Sequence, residues 1–89
     1  MEKERFYEIM NDENIETKFP ENKDNALAGL NLISKYLPTK GVEGAGHEVI
    51  YSADVSELVE AGITEEDAIQ LRTWNWMIDP NWDSLSCFV

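Results

Sequence analysis

Between Glu43 and Asp67 the chain carries eight carboxylates (Glu43, Glu48, Asp54, Glu57, Glu60, Glu65, Glu66, Asp67) and neither lysine nor arginine. Ionised carboxylates are rarely buried without a partner, so every element built from this stretch must keep its acids at the surface. The imbalance extends over the whole second half. Residues 1–40 hold eight acids and six bases, a net of −2, whereas residues 41–89 hold ten acids and Arg72 as their only base, a net of −9. Such a surface repels phosphate backbones and anionic lipid and attracts basic partners. Direct binding to nucleic acid or to a membrane is therefore disfavoured, and a basic protein is the expected partner.

At 89 residues the chain is expected to form one acidic domain over 1–89. A domain of that size buries roughly 60% of the surface its unfolded chain exposes, so stability should be marginal. The 43% apolar content nevertheless suffices for one core, with three Trp, three Tyr and three Phe supplying much of its area. The single Cys87 excludes an internal disulfide. No stretch resembles a signal peptide or the roughly 18 apolar residues of a membrane span, so a cytoplasmic protein is expected.

The pattern of apolar residues and punctuators predicts an α+β fold: three or four short helices packed on a small antiparallel sheet, with strands near 47–52 and 84–89. Residues 2–10 form a short helix presenting Phe6, Ile9 and Met10, ended by the polar cluster 11–14. Such a helix must dock or fray. Residues 15–19 alternate before Pro20 and are extended or loop. Asp24 or Asn25 caps a helix over 26–37, with Leu27, Leu30, Ile33 and Leu37 at helical spacing. The glycine-rich run 38–46 reads as a loop. His47–Ser52 is the first strand, and Asp54 caps a helix over 55–61 that Gly62 closes, with Ile63 making the accompanying apolar contact. Thr64 opens the next helix with Asp67 as its capping partner. Its apolar stripe (Ala68, Leu71, Trp74, Ile78, widened by Ile69, Trp76 and Met77) carries the helical reading through residue 78.

Several candidate sites fail on spacing. Asp79-x-Asn81-x-Asp83 opens like a calcium loop but has Ser84 where the glycine belongs, so an Asx turn is expected. His47 and Cys87 could meet only if their strands pair, and no orienting third residue is evident. Gly41, Gly44 and Gly46 do not match a phosphate loop. The helix–Gly62–helix outline opens its second helix with Glu65, Glu66 and Asp67, the wrong charge for a DNA reader. A cleft deep enough for paired-carboxylate chemistry is not expected in a chain this short.

Two features remain. Asp54, Glu57 and Glu60 recur every three residues, stepping about 4.5 Å along a helix, comparable with phosphate spacing. Glu65 and Glu66 extend that face. Trp74 and Trp76 lie about 200° apart on a helix, so both cannot face one core. The expected function is a non-enzymatic protein-binding module, in its sharpest form a DNA-mimic inhibitor that presents this acidic face to a nucleic-acid-handling protein. Its contacts are Asp54, Glu57, Glu60, Glu65 and Glu66, with Trp76 or Trp82 as the apolar anchor. No cofactor or metal is implied. The alternative is a structural or assembly subunit, such as a homodimer closed through the Trp-rich helix or the C-terminal strand.

Overall fold

The two expected strands pair, and they form the centre of a four-stranded antiparallel sheet. The computed structural model describes residues 1–89. Its elements are α1 (Lys3–Met10), α2 (Asn25–Tyr36), β1 (Gly44–Gly46), β2 (Val49–Asp54), α3 (Val55–Glu60), α4 (Glu65–Thr73), β3 (Met77–Asp79) and β4 (Ser84–Phe88). The strand order is β1-β2-β4-β3. Val49, Ile50 and Tyr51 stand opposite Phe88, Cys87 and Ser86. Side chains alternate along a strand, so Leu85 and Cys87 enter the core while Ser84 and Ser86 point to the other face of the sheet. None of the helices is long and apolar enough to cross a membrane.

The flanking strands come from stretches read otherwise. β1 lies inside the run expected to be loop. His47 and Glu48, expected as strand, make the two-residue turn of the β1–β2 hairpin, with Glu48 at φ 62. β3 replaces the end of the last predicted helix. There α4 stops at Thr73 because Asn75 enters the left-handed region at φ 66, a conformation asparagine tolerates better than most residues. The amides of Asn75 and Trp76 then donate to the carbonyls of Arg72 and Leu71, both at 3.0 Å. This is the paired-bond helix ending usually built on glycine, and Gly62 makes the expected version after α3, with amide bonds from Gly62 to Val59 and from Ile63 to Leu58.

Breaking the helix at Asn75 resolves the conflict between the two tryptophans. Trp76 turns inward and is fully buried, and Trp74 packs against the rim of the same cluster. The indole N–H of Trp76 donates to the Asn25 carbonyl at 2.9 Å. Its ring lies so close to α2 that a Cβ on Gly29 would stand 1.9 Å from Nε1. This docking sets which side of α2 is buried. Gly29 and Ile33 are inside, Ala26, Leu30 and Leu37 pack beside them, and Leu27, expected in the stripe, is 49% exposed.

The remaining helices follow the predicted signals. Asp24 caps α2 by accepting the Leu27 amide at 2.9 Å. Phe6, Ile9 and Met10 of α1 are buried, and α1 packs on α3 and α4. Thr64 caps α4 through the Asp67 amide, while the Asp67 carboxylate is drawn away to Lys35, at 2.6 Å, and to the Tyr36 hydroxyl.

That last contact belongs to a wider pattern. Bases from the first half reach across to acids of the second: Lys3 to Asp83, Arg5 to Glu65, Lys35 to Asp67 and Lys40 to Glu57. The charge that is segregated along the chain is thereby partly neutralised in space. Hydrogen bonds from Lys35 and then Tyr36 hold the Asp67 carboxyl below its ordinary pKa. A depressed carboxyl adds stability above its unfolded pKa and loses it as pH falls through the folded value. Asp67→Asn is therefore expected to be less stable than wild type at pH 7, with the two melting temperatures converging as pH falls below about 4. A constant gap across that range would show that Asp67 contributes by shape alone.

A candidate binding cleft beside the acidic helix

The sheet's outer face, away from the core, carries a cleft of about 620 Å³. Local structure explains how it is built. The β2–β4 register shifts between Tyr51 and Asp54, so the strand turns as it leaves the sheet, Ser52 and Ala53 are both buried, and Asp54 reaches the start of α3. Asp54 and Glu57 then close a reciprocal capping box. The Glu57 amide donates to Asp54 at 2.8 Å, and the Asp54 amide donates to the Glu57 carboxylate at 3.2 Å. On the same wall Lys40 Nζ sits 3.0 Å from both Glu43 Oε1 and Glu57 Oε2. The Asp54 amide bond, followed by Lys40, holds the Glu57 carboxyl below its usual pKa. Three carboxylates against one ammonium leave this wall with a net charge of −2.

Trp82, 72% exposed, also lines the cleft. Its position is firm although its ring is bare. Asp79 Oδ1 accepts the amides of Asn81 and Trp82 at 2.9 and 3.2 Å, which is the expected Asx turn. The Asp83 carbonyl accepts the Val55 amide at 3.0 Å, and the Tyr7 hydroxyl donates to Asp83 Oδ1 at 2.6 Å. That bond to a carboxylate pushes the Tyr7 pKa up to about 12. The turn is thus tied to its own backbone, to α3 and to α1. Tyr51 lies along the glycines of β1, and Ser84, only 7% exposed, completes the lining with a buried hydroxyl that has no hydrogen-bond partner.

The predicted contact residues separate into groups. Asp54, Glu57 and Trp82 come together in the cleft. Glu60 and Glu66 are exposed and form no ion pair, while Glu65 is engaged by Arg5 at 2.9 Å. Trp76 is corrected: at 0% exposure it is a core residue and offers nothing to a partner. The even ladder expected of Asp54, Glu57 and Glu60 is also altered, because the first two turn toward each other in the capping box.

Sequence reading missed Glu43, Lys40 and Ser84. The i,i+3 spacing of Lys40 and Glu43 was a usable signal for their ion pair, but nothing local marked Ser84. The surfaces expected for a homodimer also change. β4 is flanked by β2 and β3 and has no free edge, and the Trp-rich helix ends before Trp76. His47 stands in the hairpin turn with its side chain 95% exposed, whereas Cys87 is buried on the core face, where desolvation raises its pKa. Comparison with family models, curated proteins and solved structures finds no match.

Proposed function

We propose that this protein is a binding module whose acidic second half engages a basic surface on another protein, of the kind nucleic-acid-handling proteins present. The observation that carries this reading is the position of Trp82, an exposed indole on a tied-down turn, lining the same cleft as the carboxylates of Asp54 and Glu57. Leaving a tryptophan in water forgoes the burial of a large apolar side chain, and residues of this type dominate binding energy at interfaces. Exposed and unpaired, Glu60 and Glu66 add negative charge outside the cleft and would steer a cationic partner. Mimicry of a phosphate row would need free, evenly stepped carboxylates. Of the stepped trio only Glu60 is free of the capping box, so recognition here rests on net charge and the cleft.

The test is capture of partners from host lysate, with salt washes and duplex DNA as competitor. A basic protein released by both is the expected result. Glu60→Lys with Glu66→Lys in one chain should weaken its capture about tenfold or more while lowering stability by no more than about 1 kcal/mol, since neither side chain has an ion-pair or hydrogen-bond partner and only Glu66 gives up a favourable place in the first turn of α4. Glu57 is unsuited to this reversal because its loss would also uncap α3. Equal retention of the partner by the double variant would refute the proposal.

A further inference from the structure

Resting on that reading, we infer that the cleft seats the guanidinium of a partner's arginine, stacked on Trp82 and countered by Asp54, Glu43 and Glu57. The cleft's volume of about 620 Å³ is ample for one long side chain with its bridging waters, since small-molecule pockets span roughly 300–1,000 Å³. Its wall already holds a cation. Lys40 lies between Glu43 and Glu57 at 3.0 Å from each, and a charge of −2 remains after it is counted. Asp54 gives one oxygen to the Glu57 amide and keeps the other without a hydrogen bond.

An independent observation points to a missing partner. Ser84 is 7% exposed, lines the cleft, and has a hydroxyl with no hydrogen bond. A buried polar atom in that state is costly, and a donor that enters the cleft and parts the lining over it would relieve that cost. Arginine fits this combination better than lysine. Its planar head stacks on an aromatic face while its five N–H donors remain available in the ring plane, and it sheds water more readily than an ammonium. A neutral polyol could also stack on Trp82 but would leave the net charge unanswered.

Backbone and indole N–H resonances of the intact protein should be followed by NMR during titration with acetyl-arginine amide, acetyl-lysine amide and methyl glucoside. Saturable shifts at the Trp82 indole and the Asp54 and Ser84 amides are expected with the arginine probe, at about fivefold lower concentration than with the lysine probe. Trp82→Ala should weaken arginine binding about five- to tenfold without lowering the melting temperature, its ring being 72% exposed. Ser84→Ala should weaken binding about threefold and leave the melting temperature unchanged or higher, because it removes an unsatisfied group. Equal response to arginine and lysine, saturation by methyl glucoside, or shifts spread evenly over the acidic surface would each overturn the inference. A partner that Trp82→Ala captures normally and the Glu60/Glu66 reversal does not would overturn the cleft and leave the acidic face standing. Saturable arginine binding with no basic partner captured would do the reverse.

Discussion

Gly29→Ala is expected to lower the melting temperature by about 10–20 °C, against the ordinary effect of this substitution in a helix. Inside α2 an alanine should stabilise by roughly 0.5–1 kcal/mol, since glycine loses more backbone freedom on folding. Here the added methyl would stand 1.9 Å from Trp76 Nε1 and 2.2 Å from Cε2. The indole is a rigid ring fixed by its bond to the Asn25 carbonyl at 2.9 Å, so it cannot yield at its tip. Either the ring leaves its slot or α2 recedes, and both break that bond in a buried site. Overpacking and the lost hydrogen bond together cost about 2–4 kcal/mol. Thermal unfolding followed by circular dichroism measures it. A companion Trp76→Phe, which shortens the ring where the clash occurs, should make the double variant more stable than the sum of the single losses. A neutral or stabilising Gly29→Ala would mean that Trp76 does not occupy this slot.

Phe6→Ala is expected to remove about 3–5 kcal/mol, a large part of the stability of a domain this small. An isolated eight-residue helix does not persist in water, so α1 exists only because Phe6, Ile9 and Met10 are buried against the rest. Removing the Phe6 ring leaves a cavity among side chains of the central cluster. It also loosens the Tyr7 bond that ties the Trp82 turn to α1. The urea midpoint should fall by about 2 M. If the midpoint moves by less than about a quarter of that, α1 frays from the domain and Phe6 is not a core residue.

The same two regions mark where sequence reasoning succeeded and where it did not. The periodicity of 2–10, Asp24 before α2, Asp54 before α3 and Gly62 after it were all readable, because each is a signal confined to a few neighbouring residues. The pairing of β2 with β4 was also readable, since these were the two stretches read as strands and each needed a partner. The end of α4 was not. Its apolar stripe continues through Trp74, Trp76 and Ile78 at spacings a helix would accept, and an asparagine at 75 is a far weaker stop signal than glycine. Leu27 was misplaced for a related reason. Several faces of α2 are apolar enough to be buried, and local pattern does not choose among them.

The sequence alone determined the α+β class, most of the helix limits, the central strand pair and an acidic surface poor in bases beyond residue 40. Those properties depend on short-range backbone preferences and on counting charges. Tertiary structure decided where Trp76 goes, which side of α2 is buried, which acids are neutralised from the other half, and that Trp82, Ser84 and the carboxylates of Asp54 and Glu57 share a cleft. Each depends on complementarity between distant segments. Trp76 leaves the helical path for a slot that exists only because Gly29, 47 positions earlier, has no side chain to fill it.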